Sequence, residues 1–374
     1  MRPASVVCFF IGYVMSATRI GSKSPSTPKP SAGKRRALSV WELPKLLQSV
    51  HRQRKPTKRL ARERPHFRAI LAFVHRNRFA VATQIQRRFS KYLRSDRTAR
   101  RHLAEMESLG LLGVVETNHV SPLWPKVYFV TRRGLAALKQ TLHNQGQEWR
   151  ECAVDRRRVE GASAQHVLHE LFITEFLTMA WEVTQVRDDV TLLTVQRRSL
   201  AKHDAFRVVV AGRRTRLQPD AMFLYRQQEK GMMCCFVEID MGSMSIKQMA
   251  AKLRRYQVWA ESSEAAKYLK EAYQHYGATA PTAAFRLLVI VGGRNENSEN
   301  RRLLRLIAIA SKTPRSIRDR IWLSTVAQSH DVVETYNALS EPIWLRLRDL
   351  SATILESPTA IPKISRHAIF GLER

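Results

Sequence analysis

The chain of 374 residues is long enough for about two domains, and its apolar fraction of 44% is ordinary for a globular protein with a sizeable core. Its net charge of +31 is not ordinary, and residues 1–150 hold 30 Lys and Arg against 7 Asp and Glu. Such an asymmetry indicates a module that binds a polyanion. A membrane-surface role would favour a basic amphipathic helix with a broad apolar face, and we find none outside the apparent globular units. Charge that serves only solubility is the alternative.

An apolar segment lies near the start, at Val6–Met15. It is too short to span a bilayer, but with Arg2 before it the segment mimics a signal peptide. Export would not serve a chain whose basic module binds a polyanion such as DNA, so we expect a cytoplasmic protein, with Met15 as an alternative start. The cysteines form no Cys-x-x-Cys pair, and the adjacent Cys234 and Cys235 are expected to point to opposite faces of a strand as reduced thiols.

Residues 1–66 are expected to form a disordered basic arm. Residues 51–64 alone carry seven Lys and Arg against one acid. Arms of this composition often lie along phosphates, whereas the alternative is a solvated tail that contacts nothing.

Residues 67–142 read as a winged helix-turn-helix domain. In chain order we predict a helix with Phe67, Ile70, Leu71 and Val74 on its apolar face, helices over 82–89 and 96–109, strands over 111–116 and 127–131, and a helix over 132–142. Ser95 is a typical N-cap for the third helix, and Gly110 a typical end. This helix would enter the major groove, where Arg side chains contact guanine edges.

Six cations are the predicted DNA contacts of this domain, and they are Arg94, Arg97, Arg100, Arg101, His102 and, from the wing, Lys126. The wing also carries His119 and Trp124. The alternative is a basic, solvated helix in a domain that binds protein.

After a polar linker over 143–164, residues 165–330 are predicted to form an α/β layer, followed by an extension over 331–374. The predicted elements are a helix over 165–183, strands over 191–196, 206–210, 220–225 and 233–240, a long helix over 245–276, a strand over 285–291, a helix over 300–311 and a strand over 321–326.

Three carboxylates lie at the ends of neighbouring strands in this domain. Asp220 begins one strand, while Glu238 and Asp240 end the next and share a face. Antiparallel pairing brings Asp220 beside them, and clustered buried carboxylates are costly without a cation. We therefore predict Mg²⁺ held by Asp220, Glu238 and Asp240. The alternative is a common turn and a solvated strand end.

Here the sequence resembles the PD-(D/E)XK nuclease superfamily, through Pro219-Asp220 and Glu238-Ile239-Asp240. It departs from that pattern because Asp240 holds the usual lysine position. The resemblance implies a restriction-endonuclease-like αβββαβ domain of the α/β (α+β) class. It also implies that Lys252, with Lys247 in reserve, joins Asp220, Glu238 and Asp240 in catalysis with Mg²⁺, and that Glu170 is a further metal-side carboxylate.

A longer series resembles the replication-relaxation family of plasmid proteins over about residues 67–330. It reads His166-x-x-x-Glu170, Pro219-Asp220, Glu238-x-Asp240-x-Gly242 and Lys252-x-x-x-Tyr256, after a winged helix. These proteins are similar in architecture to mobilisation relaxases that use a PD-(D/E)XK-like domain instead of a tyrosine. The resemblance implies binding of a double-stranded plasmid or mobile-element origin, by one copy or a homodimer, and Mg²⁺-dependent nicking. The alternative is a non-catalytic replication initiator or transcriptional regulator with a degenerate nuclease fold.

Other motifs are absent or misleading. The chain has no Gly-x-x-x-x-Gly-Lys-Ser/Thr loop, so we expect no nucleotide cofactor. His166 and His169 share a helix face but match no zinc motif, and one of them is expected at the rim of the acidic cluster. Tyr256 is expected to pack on its helix face with Met249 and Leu253 instead of acting as a nucleophile.

Overall fold

The computed structural model describes residues 65–115, 125–144, 163–197, 204–228, 230–242, 244–279, 282–293, 296–325, 339 and 344–350. The predicted arm up to residue 64, the segment Val6–Met15, His119 and Trp124 of the predicted wing and most of the predicted linker lie outside these ranges.

Residues 65–144 form an amino-terminal unit of helices and short strands. Its elements are α1 Pro65–Asn77, β1 Ala80–Val81, α2 Ala82–Arg88, α3 Asp96–Ser108, β2 Leu112–Val115, β3 Val127–Val130 and α4 Arg132–Asn144. The strands pair antiparallel in the order β1-β3-β2. The four predicted helices and two strands are confirmed. Strand β1 was missed, because two residues are too few to show a periodic pattern.

Helix α3 begins and ends where its sequence predicts. The backbone N–H of Thr98 donates to the Ser95 hydroxyl at 3.2 Å, and Gly110 follows the helix with a φ of +67°. Ala99, Leu103 and Met106 are buried against α1 and α2. The opposite face of the helix is therefore left for solvent or a ligand.

Residues 163–350 form a mixed α/β unit around a six-stranded sheet, as the predicted fold class requires. The elements are α5 Ala164–Val186, β4 Val190–Gln196, β5 Arg207–Val210, β6 Arg213–Arg216, β7 Ala221–Gln227, β8 Gly231–Asp240, α6 Ile246–Ala260, α7 Ser263–His275, β9 Phe285–Val291, α8 Glu296–Ala310, α9 Arg315–Arg318, β10 Ile321–Thr325 and β11 Leu345–Arg346. The sheet order is β11-β10-β9-β8-β7-β4, with β8, β9 and β10 parallel and the other pairs antiparallel.

Helices cover both faces of this sheet. Cys234 and Phe236 point to the layer of α6, α7 and α8, whereas Cys235 and Val237 point to α5. The prediction that the two cysteines face opposite ways is confirmed, and both are free thiols.

Several features of this unit differ from the prediction, among them the unpredicted short helix α9. The prediction of one long helix over 245–276 is wrong, because a second helix starts after Ser262. The Ser262 hydroxyl caps this helix by accepting from the Ala265 N–H at 3.1 Å. The strand over 206–210 does not join the main sheet but forms a separate hairpin, β5–β6. Strand β11 adds to the main sheet after residue 330.

Helix α5 packs against both units. Its Val167 and Leu171 lie in one buried cluster with Phe79 and Val81 of the amino-terminal unit. The Gln84 amide also donates to the Leu171 carbonyl at 3.1 Å. None of the described helices has the length and apolarity needed to cross a bilayer.

Candidate carboxylate–lysine site and nucleic-acid interface

Asp220 and Glu238 meet at one end of two neighbouring inner strands, where β7 begins and β8 ends. Asp220 directly precedes β7, and the antiparallel register pairs Ala221 with Val237 of β8. The Asp220 N–H donates to the Val237 carbonyl at 3.1 Å. The predicted approach of Asp220 to the end of β8 is therefore confirmed.

Two side chains of helix α6 contact Glu238. Ser245 caps this helix, accepting from the Gln248 N–H at 3.2 Å, and Lys252 and Tyr256 lie one turn apart on the same face. The Lys252 amine contacts one oxygen of Glu238, and the Tyr256 hydroxyl donates to the other at 2.6 Å. Glu238 is only 2% exposed, so these contacts are shielded from water.

Asp220 lies between the two helical layers. Its Oδ2 accepts from the Ile239 N–H at 2.8 Å and lies 3.3 Å from Nε2 of His169 on α5. The prediction of a histidine at the rim of the acidic cluster is confirmed for His169. His166 instead lies 3.1 Å from the Arg78 guanidinium, so the two histidines contact different residues.

The two carboxylates have pKa values that are pushed apart. Burial would raise the pKa of Asp220, but the charge of Lys252 and the contact with His169 outweigh it and lower this pKa to about 2. Burial raises the pKa of Glu238 to about 8, against the opposing charge of Lys252. The carboxylates of Glu238 and Asp220 raise the pKa of Lys252 despite its own burial. The site therefore favours the ionised form of Asp220, whereas burial opposes the ionised form of Glu238.

Asp240 has a different partner from Glu238. Its Oδ2 accepts from Nε of Arg302 on α8 at 2.5 Å, and its Oδ1 accepts from the Gly242 N–H at 3.1 Å. The buried charge is thus neutralised by an arginine 62 residues away in the chain. The structure brings Asp220, Glu238 and Lys252 together, while Asp240 is held in a separate ion pair on the same strand.

Glu170, on helix α5, is held between two arginines. One of its oxygens accepts from Arg78 at 3.0 Å and the other from Arg197 at 2.7 Å. Two arginines therefore neutralise this buried carboxylate, and its role as a further metal-side carboxylate stays a prediction.

The donor set for a cation is small. Within the described ranges, no group of three or more His, Cys, Asp or Glu side chains could hold a metal ion. Mg²⁺ in proteins commonly uses one or two carboxylates and completes its shell with waters and substrate phosphates. Asp220 and Glu238 fit that requirement, since a buried carboxylate with a pKa near 8 is one whose charge a dication would stabilise.

The outer face of α3 is basic, as predicted. Four of the six predicted DNA contacts are exposed on it or just before it, and they are Arg94, Arg97, Arg100 and Arg101. Arg100 pairs with Asp96 one turn earlier at 2.5 Å, a contact that a phosphate can replace.

The other two predicted contacts lie differently. The His102 ring packs edge-on against His66 and Phe67, with 16% of the side chain exposed. It therefore supports the packing of α1 on α3 and leaves the arginines as the cationic surface. Lys126 is exposed and pairs with Glu107 at 3.2 Å, so it lies near the end of α3.

Sequence reasoning missed the arginines that neutralise the buried acids. Arg78, Arg197 and Arg302 lie in unrelated segments, and each contacts its partner only through tertiary structure. The one available signal was the position of Arg197 directly after an apolar strand, where an unpaired charge is unusual.

Comparison with known families decides the relationship of the chain. A model of the replication-relaxation family matches residues 71–270, more than half of the chain. The chain belongs to the replication-relaxation family. No curated protein and no solved structure matches it. The resemblance seen in the short motifs is thereby confirmed, and it associates the chain with replication or mobilisation of plasmids or mobile elements.

The replication-relaxation match covers both candidate surfaces. It extends from α1 into α7, so it includes the arginines of α3 together with Asp220, Glu238 and Lys252. Arg302, the partner of Asp240, lies beyond its end.

Proposed function

We propose that this replication-relaxation protein binds a double-stranded origin of a plasmid or mobile element and nicks it by Mg²⁺-dependent phosphodiester hydrolysis. The observation that carries the proposal is the convergence of Asp220, Glu238 and Lys252 at one end of two neighbouring inner strands. Two acids and an amine at such a strand end are the groups that hydrolysis of a phosphodiester needs.

The amino-terminal unit supports DNA binding. Its order of three helices, two longer strands and a further helix is that of a winged helix-turn-helix, and its third helix presents exposed arginines. The excess of positive charge in residues 1–150 agrees with a polyanionic ligand.

The carboxy-terminal unit supports the nuclease interpretation. The succession α5, β4, β7, β8, α6, β9 has the αβββαβ order, once the β5–β6 hairpin is set aside as an insertion. Lys252 of α6 contacts Glu238, which supports the interpretation that a lysine from the next helix takes the place of the one that β8 lacks at position 240.

Each side chain of the site has a separate role in the proposed hydrolysis. Asp220 and Glu238 would hold Mg²⁺, which when bound lowers the pKa of a water and stabilises charge on the phosphate. Lys252 places a positive charge beside the scissile group. Tyr256 is fully buried and donates to Glu238, so it orients that carboxylate and cannot reach DNA as a nucleophile.

A second function is favoured by the contacts around the acids. Both oxygens of Glu238 are already engaged, and Asp240 at the usual lysine position is paired with Arg302. These contacts fit a non-catalytic initiator or regulator that grips DNA with a degenerate nuclease fold.

Nicking of a supercoiled plasmid that carries the native neighbourhood of the gene distinguishes the two. With Mg²⁺ we expect open circles from the wild-type protein and none from Asp220→Ala, while both bind the plasmid equally. Glu271→Ala, an exposed acid on α7, is the matched control and should nick like wild type. Intact supercoils in the presence of tight binding would favour the non-catalytic function.

The face of α3 gives a separate prediction. Arg97→Gln/Arg101→Gln removes two exposed cations, and the slope of log affinity against log salt should fall by about 2. If either arginine contacts a guanine, discrimination between origin and unrelated DNA should fall by about 1–3 kcal/mol per contact. Fluorescence anisotropy with origin and scrambled duplexes measures both. An unchanged slope and unchanged discrimination would show that these arginines of α3 do not contact DNA.

A further inference from the structure

The hairpin β5–β6 is a two-stranded ribbon with a two-residue turn. Arg207–Val210 pairs with Arg213–Arg216, and only Ala211 and Gly212 connect them. Both connecting residues have positive φ, +49° and +74°. This is the backbone of a two-residue type I′ turn, whose twist matches that of the paired strands.

The two faces of the ribbon differ in character. Val208 is buried in the core beneath α6. The register places Arg207 opposite Arg216 and Val209 opposite Arg214, so these four side chains share the outer face. Val209 is 56% exposed, and all three arginines are exposed. Arg213 pairs with Val210 on the other face but lies next to the turn, where it is exposed as well.

Folding of the hairpin does not account for Arg213 and Arg214. Like charges placed directly across two strands are destabilising, as for Arg207 and Arg216. Arg207 pairs with Asp204 at 3.0 Å, but neither Arg213 nor Arg214 makes an ion pair with a residue that the structure describes. An external anion would relieve the repulsion.

The ribbon segment also holds most of the positive excess of the second half of the chain. Residues 151–374 contain 33 Lys and Arg against 25 Asp and Glu, and residues 198–216 contain 6 against 1. The rest of the half is close to neutral. A local concentration of this kind indicates a binding surface more than it indicates general solubility.

The ribbon is fixed beside the carboxylate site. Arg216 ends β6 only four residues before Asp220. Arg255, one turn after Lys252 on α6, donates to the Arg216 carbonyl at 3.4 Å. Cations thus extend from the tip of the ribbon to the lysine that contacts Glu238.

We propose that the β5–β6 ribbon is a second DNA-binding element, which grips the phosphodiester backbone of double-stranded DNA next to the Asp220 and Glu238 site. A two-stranded ribbon has a width that the major groove admits, and its arginines would contact phosphates on either side. The inference rests on the proposed function insofar as DNA is the ligand, but it does not require that the DNA is cut.

The test compares full-length variants in binding to a 30-bp duplex of scrambled sequence across a salt series. Arg213→Gln/Arg214→Gln should lower the slope of log affinity against log salt by about 2, and lower the affinity roughly 10- to 60-fold at 0.1 M salt. Arg213→Lys/Arg214→Lys should restore the slope. Lys312→Gln/Arg315→Gln is the matched control. These exposed cations precede β10 and lie near the beginning of the parallel strands, whereas Asp240 lies at the end of β8, so their loss should leave the slope unchanged.

Equal slopes for the wild type, the ribbon variant and the control would overturn the proposal. Circular dichroism melting checks that the variants fold. The ribbon and the nuclease proposals fail independently: a ribbon variant that binds weakly, in a protein that never nicks, supports the ribbon alone. Nicking by a protein whose ribbon variant binds normally supports the nuclease alone.

Discussion

Arg197→Met is expected to lower the free energy of unfolding by about 3–5 kcal/mol, since it removes one partner from a buried ion pair. Arg197 is 6% exposed and lies directly after β4. Its guanidinium donates to Glu170 at 2.7 Å and to the carbonyl of Asn77, at the end of α1, at 2.8 Å. The substitution would remove one donor from the Asn77 carbonyl, which also accepts from the Phe79 N–H at 2.8 Å, and would take from the buried Glu170 one of its two arginine partners.

The same network explains why the effect is large. Glu170 also accepts from Arg78, a residue held at a φ of +66° where non-glycine residues are strained. These contacts join the amino-terminal unit to α5, next to His169 and hence to Asp220. Loss of Arg197 is therefore expected to loosen both the junction and the site.

Urea unfolding of the full chain measures the effect. The control is Arg315→Met, which breaks an exposed pair with Asp319 and should change the stability by less than about 1 kcal/mol. The double variant Glu170→Gln/Arg197→Met should recover none of the loss, because the buried Arg78 would then lose the Glu170 carboxylate as well. A loss for Arg197→Met no larger than that of Arg315→Met would show that the network contributes little.

Glu238→Gln is expected to flatten the pH dependence of stability between about pH 4.5 and 8. Burial raises the pKa of Glu238 from 4.5 to about 8 in the folded protein. Across that window the folded state holds a proton that the unfolded state releases, so stability is full below pH 4.5 and falls as the pH rises through 8. Each pKa unit corresponds to about 1.4 kcal/mol, so the fall amounts to several kcal/mol.

Asp220 acts at the other end of the pH range. Its pKa is lowered to about 2, so the stability that it contributes is present above pH 3.8 and is lost as the pH falls towards 2. The two carboxylates together predict a stability maximum between about pH 4 and 5 from this site.

Unfolding free energies at pH 5, 6, 7 and 8 test the Glu238 prediction. The wild type minus Glu238→Gln difference should change steadily across the series, because glutamine has the same shape but no proton to lose. Glu271→Gln, at an exposed carboxylate, serves as the control and should follow the wild-type profile. Parallel profiles for wild type and Glu238→Gln would contradict a raised pKa.

Local features of this protein were determined by its sequence. Ser95 and the apolar spacing of Ala99, Leu103 and Met106 predicted α3 and left its arginines outside, because capping and helical period act over a few residues. The alternation of Cys234 and Cys235 was equally local, and so was the buried strand β9. The motif series that predicted the family also lies in short segments.

Only the tertiary structure decided which acids act together. Glu238 and Asp240 look equivalent in sequence, yet one contacts Lys252 and Tyr256 and the other Arg302. Glu170 likewise pairs with Arg78 and Arg197, which lie in distant segments. The partner of a buried charge depends on which distant segments dock beside it, and that docking is set by packing across the whole core, which no local pattern reports.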